Sequence, residues 1–389
     1  MRRAGDLIGA VAAPDNLRLA FLAACRGKRG KREVRRFAAD VDGELERLGE
    51  ALLAGAVAWG PYHEFKVHDP KPRTIHAPRF HSRVAQHAIM NVCAPVFERY
   101  QLPESCASRP GKGTDDALAR ACRACRSGHW FLQMDVRRYF DSIDHATLRG
   151  LLRRRFKDRV VLGLFDSILD TFSVAPGKGV PIGNLTSQFF ANHYLAVLDR
   201  HVKQTLGVRH YVRYMDDFVL WSTAKDEAVQ ARTSIREFLG RRLGLGLKVD
   251  VLNACERGMT FLGYHLVPGR LGLAPRTRRR FRRRARAYLR RYNEGEWDEV
   301  ELARHVEPLL AFVRRGESHA FRRRCRLETG FGPEAPPACI AAAAGASASG
   351  AAFRRAGTGA RPAAASRTSA SVSSQLGRRA PGGRPEAGR

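Results

Sequence analysis

Apolar positions along the first 60 residues recur every three or four residues, the spacing of a helix with one buried face. Leu17, Leu19, Phe21 and Leu22 precede a basic break, Arg26 to Arg32, and Phe37, Val41, Leu45, Leu48, Leu52 and Leu53 continue the pattern beyond it. The period then changes to two. Tyr62 to His68 alternates like a strand, Asp69-Pro70-Lys71-Pro72-Arg73 turns the chain, and Thr74 to Pro78 returns it. Helical spacing resumes over Arg83–Tyr100, and Ser108-Arg109-Pro110-Gly111-Lys112-Gly113-Thr114 leads into another helix, with Thr114 as its expected cap. Trp130 to Val136 is strand-like. Ile143–Phe172 and Phe189–Val202 read as helices, and Tyr211 to Trp221 reads as a hairpin. Lys225–Leu243 is a helix with Val229, Ile235, Phe238 and Leu239 inside. Leu245–Val249 and Thr260–Leu266 are two further strands, Arg276–Arg291 is a charge run interrupted by Phe281, Tyr288 and Leu289, and Asp298–Arg324 is helical. Strands followed by helices on one face define an α+β fold.

Two places break the apolar pattern. Asp216 and Asp217 interrupt Tyr211-Val212-Arg213-Tyr214-Met215 and Phe218-Val219-Leu220-Trp221, and Asp135 ends Trp130-Phe131-Leu132-Gln133-Met134. Carboxylates disfavour strands and cost free energy when desolvated. One reading is a plain Asp-Asp turn. The other is a divalent-metal site, for which carboxylates from two neighbouring elements suit a pair of ions in phosphoryl transfer.

Composition narrows the partners. The 389 residues carry 68 Lys+Arg against 38 Asp+Glu, a formal charge of +30. Such an excess favours a polyanion, because Lys and Arg contacts to phosphates supply most non-specific affinity for nucleic acid. Arg276 to Arg291 alone holds ten arginines in sixteen residues. Eight cysteines form no framework, and Cys122-x-x-Cys125 has no second CxxC; these are packing residues of a reduced, cytoplasmic protein. The apolar run Leu7 to Ala13 is too short for a signal sequence, and nothing approaches the roughly 20 apolar residues of a membrane span. The Gly-Lys-Gly of Gly111 to Gly113 fails the P-loop spacing, although Arg109 and Lys112 suit close approach to a phosphate backbone. Beyond Gly332 the composition collapses to Ala, Gly, Arg, Ser and Pro, and disorder is expected.

Tyr214-Met215-Asp216-Asp217, with Asp135 at the end of its strand and Tyr139-Phe140 after it, resembles the catalytic signature of reverse transcriptases. Pro181-Ile182-Gly183-Asn184-Leu185-Thr186-Ser187-Gln188 is similar to the loop of diversity-generating retroelement enzymes. Retroviral and group II intron enzymes mostly have Gln-Gly after the proline, and the group II motif ends in Ser-Pro.

The resemblance implies a right-hand polymerase: an N-terminal helical segment (1–58), fingers (59–130), an antiparallel-sheet palm (131–270, with the helical part of 145–175 against the fingers), a basic helical thumb (271–330) and a basic tail (331–389). It implies Asp135, Asp216 and Asp217 as ligands of two Mg²⁺ ions, with Mn²⁺ as a substitute. Lys71 and Arg73 would meet the triphosphate of the incoming dNTP. Phe140 would exclude a ribose 2′-hydroxyl, and Ile182 and Gln188 would lie beside the nucleotide. Lys248 and the expected strand through Phe261-Leu262-Gly263-Tyr264 would stand near the leaving phosphate and the primer end. Arg109, Lys112, Arg279 and Arg283 would contact an RNA template and DNA primer. An accessory variability-determinant protein is an implied partner, and no RNase H or endonuclease segment is expected. A group II-intron-like or retron-type enzyme is the alternative, and an RNA-binding scaffold with an inactive palm is the non-enzyme alternative.

Overall fold

The computed structural model describes residues 2–68 and 72–329. Lys71 and the tail from residue 331, for which the sequence predicts a triphosphate contact and disorder, lie outside the described residues.

The N-terminal segment folds as α1 (Ile8–Ala12), α2 (Pro14–Cys25), α3 (Arg32–Ala38) and α4 (Val41–Leu53). Pro14 opens α2 at a position whose amide needs no helical partner. The expected long helix beyond the basic break is two. Asp40 leaves helical geometry at φ −140°, and its carboxylate accepts from the Gly43 amide at 3.1 Å, capping α4.

A hairpin follows, β1 (His63–His68) and β2 (Pro72–Ala77), then α5 (Phe80–Glu98). The helix α6 (Thr114–Ser127) is entered from Gly113, at φ +155°, so Thr114 is its first residue rather than its cap. The Thr114 hydroxyl instead donates to the Tyr214 hydroxyl at 3.4 Å.

The central sheet takes β3 (Trp130–Val136) into its middle. The helices α7 (Tyr139–Ser142), α8 (His145–Arg153), α9 (Arg159–Asp170) and α10 (Leu185–Arg200) separate it from β4 (His210–Tyr214) and β5 (Asp217–Ser222). After α11 (Lys225–Leu243) comes β6 (Leu247–Ala254), and the four strands lie in the order β4-β5-β3-β6, antiparallel throughout. Helix α10 starts four residues before its sequence estimate, because the turn at Ile182-Gly183 ends at Asn184 and the helix begins there.

The last strand expected from sequence is a hairpin. Leu262 and Gly263 have φ of +49° and +86° and reverse the chain between β7 (Met259–Phe261) and β8 (Tyr264–Val267). With β9 (Arg270–Leu273) these form a separate sheet, which leads into α12 (Pro275–Asn293), α13 (Glu299–Arg314) and α14 (His319–Thr329).

Alternation along β3 and β5 builds two cores on the two faces of the central sheet. Leu132, Met134, Phe218 and Leu220 pack with α5, α8, α9, α10 and α11. Phe131, Val219 and Trp221 face the other way, onto α6, the small sheet, α12 and α13. Helices therefore cover both faces. In α11 the inward residues are Ala228, Ala231, Ile235 and Leu239, whereas Val229 is exposed. Cys125 is buried in the second core and Cys122 packs against it. Among the described residues no helix is long and apolar enough to cross a membrane.

Candidate active site

The side-chain parity that puts Phe131 in the second core puts Gln133 and Asp135 on the same face, toward the end of β3. On β5 the same parity aligns Trp221, Val219 and Asp217. Asp135 and Asp217 are direct cross-strand partners. Asp216 sits in the two-residue turn between β4 and β5, after Met215 at φ +59°, and its carbonyl accepts from the Val136 amide at 3.2 Å. A hairpin closed by a left-handed residue is the tightest connection between antiparallel strands. Here it sets two adjacent carboxylates beside a third.

Like charges placed opposite each other oppose folding unless something neutralises them. Burial raises the Asp217 carboxyl to about 7; the Gln133 amide pulls the other way, and repulsion from Asp135 and Asp216 adds to the rise. Burial and Asp135 raise Asp216, against the lowering effect of Arg73 and Lys248. The Gln133 amide donates to Asp217 at 3.2 Å and to the Thr260 carbonyl at 3.1 Å, linking the site to β7. Lys248 donates to Asp135 at 3.3 Å. Among the described residues no three His, Cys, Asp or Glu side chains form a ready-made metal cage. The aspartates form an open carboxylate edge. Its donor set, all hard oxygen, fits a hard divalent cation that keeps sites for substrate oxygens.

Of the other predicted residues, Arg73 and Lys248 act on this edge. Arg73, exposed on β2, acts electrostatically on Asp216. The hairpin bearing it is joined to the loop before α10, where the His76 amide donates to the Ile182 carbonyl at 2.7 Å. Ile182 is half-buried, and Gln188 is exposed in the first turn of α10. Phe140 is half-buried in α7, and its carbonyl accepts from the Val180 amide at 2.9 Å, so it lies against the same loop. Arg279 and Arg283 are exposed one turn apart on α12, in a stripe with Arg276, Arg286 and Arg290.

Two residues are placed otherwise than expected. Arg109 turns inward, its side chain 8% exposed. It grips the Glu98 carboxylate at 2.5 and 3.0 Å and donates to the carbonyls of Leu102 and Ser105, so it ties a loop to α5 and does not reach for phosphate. The guanidinium fork that suits phosphate suits a carboxylate equally. Lys112 is paired with Asp116 at 3.0 Å.

Residues that sequence reasoning did not single out complete the site. Gln133 holds Asp217, and Arg213 on β4 is wholly buried beside the turn. A cation inside the apolar run Tyr211-Val212-Arg213-Tyr214 was the available signal.

Residues 66–266 match the family described as reverse transcriptase (RNA-dependent DNA polymerase). Protein YkfC of Escherichia coli K12 is 25% identical over 274 residues, covering 58% of this chain and 71% of that protein. The group II intron-encoded protein LtrA of Lactococcus lactis is 29% identical over 145 residues, 36% of this chain and 24% of its own length. A structure of apo telomerase from Candida tropicalis superposes with a TM-score of 0.42 at 11% identity, covering 53% of this chain and 47% of that one, too loosely to carry a fold assignment. The match over half the chain is centred on the sheet that carries Asp135, Asp216 and Asp217: this chain belongs to the reverse transcriptase family.

Proposed function

We propose that the chain is an RNA-directed DNA polymerase that extends a DNA primer on an RNA template with dNTPs. The observation that carries this reading is the cross-strand pair Asp135–Asp217 with Asp216 in the intervening turn. The burial of Asp216 and Asp217 and the repulsion that Asp135 exerts on both suit the binding of divalent cations. Asp135, Asp216 and Asp217 would hold two Mg²⁺ ions, or Mn²⁺ in their place, which supply charge neutralisation at the primer 3′-oxygen and the pyrophosphate.

Around that centre the chain positions and selects. Arg73 on β2 meets the triphosphate as a planar fork, and Lys71 is the point charge expected beside it from the sequence. Lys248 orients Asp135 from the side of the leaving phosphate. Phe140 fills the space a 2′-hydroxyl would need. Ile182 and Gln188 border the nucleotide, and Arg279 and Arg283 hold the duplex by its phosphates. In these terms residues 59–130 are the fingers, 131–270 the palm and 271–330 the thumb, after the helical segment 1–58.

Ile182-Gly183 and Ser187-Gln188 favour the retroelement type that copies a template repeat with errors, assisted by an accessory variability-determinant protein. The second reading, a group II-intron-like enzyme, is favoured by the intron-encoded relative. Primer extension by the purified chain on a defined RNA tests both. Mg²⁺-dependent cDNA is expected, with errors concentrated opposite template adenine. No cDNA under any divalent ion overturns the polymerase reading. Accurate cDNA favours the intron-like one.

A further inference from the structure

Arg213 is completely buried, as is its partner Asp199 on α10. Its Nε and Nη2 donate to the two Asp199 carboxylate oxygens, both at 2.7 Å. Nη1 donates to Asn192 Oδ1 at 3.1 Å and to the Met215 carbonyl at 3.0 Å. The second Nη2 hydrogen points toward Gln101 Oε1 and the Asn192 carbonyl, each at 3.4 Å. All five guanidinium donors are thereby engaged. The backbone of Arg213 is fixed too: its amide donates to the Glu104 carbonyl, and its carbonyl accepts from the Cys106 amide, both at 2.9 Å.

The Met215 carbonyl lies immediately before Asp216. Met215 is left-handed, at φ +59°, a conformation that a residue with a long side chain adopts only when its surroundings impose it. Removing a buried ion pair in favour of apolar side chains is often neutral or stabilising, so stability alone does not account for this one. Its partners Asp199 and Asn192 lie on α10, whose first turn bears Gln188, and the Met215 carbonyl that it holds belongs to the turn bearing Asp216. A planar fork can span both at once, and a lysine ammonium with three donors cannot.

We propose that Arg213 is a positioning residue for this centre: through the Met215 carbonyl it fixes the turn that aims Asp216 and Asp217, and through Asp199 and Asn192 it locks that turn to α10. It touches neither substrate nor metal. The inference rests on the polymerase reading only for its effect on turnover, because the aim of the carboxylates is measurable by metal binding alone.

The test uses the full chain with Arg213→Lys and with the double variant Asp199→Asn/Arg213→Met, which leaves no unpaired buried charge. Folding is followed by circular dichroism and melting, and binding of Mn²⁺ by electron paramagnetic resonance, with Asp216→Asn marking the signal that belongs to this site. The Mg²⁺ dependence and kcat of single-nucleotide incorporation, and template–primer Kd, complete the set. Both variants are expected to fold and to bind template–primer as the wild type does. Mn²⁺ affinity and kcat should fall by about 10–100-fold, the usual effect of removing a group that orients a metal ligand, and more Mg²⁺ should be needed for half-maximal rate. A folded variant with wild-type Mn²⁺ affinity and kcat overturns the proposal. So does failure of both variants to fold, which would assign Arg213 to stability alone. A wild-type chain that binds Mn²⁺ through Asp216 yet incorporates nothing counts against the polymerase reading, and the Mn²⁺ comparison still decides the role of Arg213.

Discussion

In the proposed polymerase Ile182 borders the nucleotide, where directional recognition would be most useful. Its carbonyl is tied to His76, and Gly183 next to it has φ +115°, with Ile75 Cγ2 2.7 Å from where a Cβ would lie. That turn accepts no bulk at position 183, and the side chain at 182 becomes the variable element. A glutamine amide can donate and accept there, whereas a branched apolar side chain does neither. Apolar shape alone discriminates by about 1–3 kcal/mol. Ile182→Gln is therefore expected to lower misincorporation opposite template adenine several-fold, with smaller changes opposite other bases, read by sequencing cDNA from a defined RNA. An unchanged adenine error rate in an active variant removes Ile182 from the explanation. At this scale the juxtaposition of Asp135 with Asp216 and Asp217 was legible, because one carboxylate ends an apolar strand and the other two interrupt an apolar hairpin, although the pair alone reads equally well as a turn. Arg109 was not, for the converse reason: an arginine beside glycines looks the same whether its partner is a phosphate or Glu98. The role of Arg213 was hidden because only the fold shows that Asp199, fourteen residues earlier in the chain, reaches it.

Among the elements, α12 shows most directly how spacing becomes a surface. Phe281 and Ala285, four residues apart, are buried, and Arg276, Arg279, Arg283, Arg286 and Arg290 follow the opposite face at alternating steps of three and four. Replacing Arg279 and Arg283 by Gln is expected to weaken template–primer binding for all sequences alike. The slope of log Kobs against log salt should flatten by about 0.7–0.9 for each phosphate that is no longer neutralised. An unchanged slope would mark the stripe as a solvated face. Apolar periodicity predicted α11 to its ends, since Gly244 in the left-handed region stops it. It failed where a polar or left-handed residue interrupts an apolar run: at Asp40, which caps a new helix, and at Leu262-Gly263, which folds one expected strand into two. Both breaks depend on backbone dihedrals that hydrophobic spacing does not encode.

At the scale of the whole molecule, the central sheet is gripped by two cores, and the larger one encloses a histidine. His193 on α10 is fully buried, contacts the Leu151 carbonyl at 3.3 Å and is drawn down to about 4 by burial. Between that value and the ordinary 6.5 the unfolded chain binds the extra proton, so the folded state loses stability as pH falls through this window. The loss is at most about 1.4 kcal/mol per pH unit. His193→Gln should abolish this slope, so the difference between the two proteins' denaturant-derived stabilities should change with pH from about 6.5 to about 4. A difference that stays flat with pH contradicts the assignment. That α10 carries both the buried histidine and the Asp199 and Asn192 partners of Arg213 was not legible from sequence, because strand order and the packing of α10 beside β4 arise from long-range contacts. The central claim, that Asp135, Asp216 and Asp217 form one metal-dependent nucleotidyl-transfer centre, is tested most directly by Asp216→Asn. The measurement is dNTP incorporation on an RNA template alongside template–primer affinity. Incorporation should be abolished while affinity stays within about twofold; full-length extension by the folded variant would contradict the account.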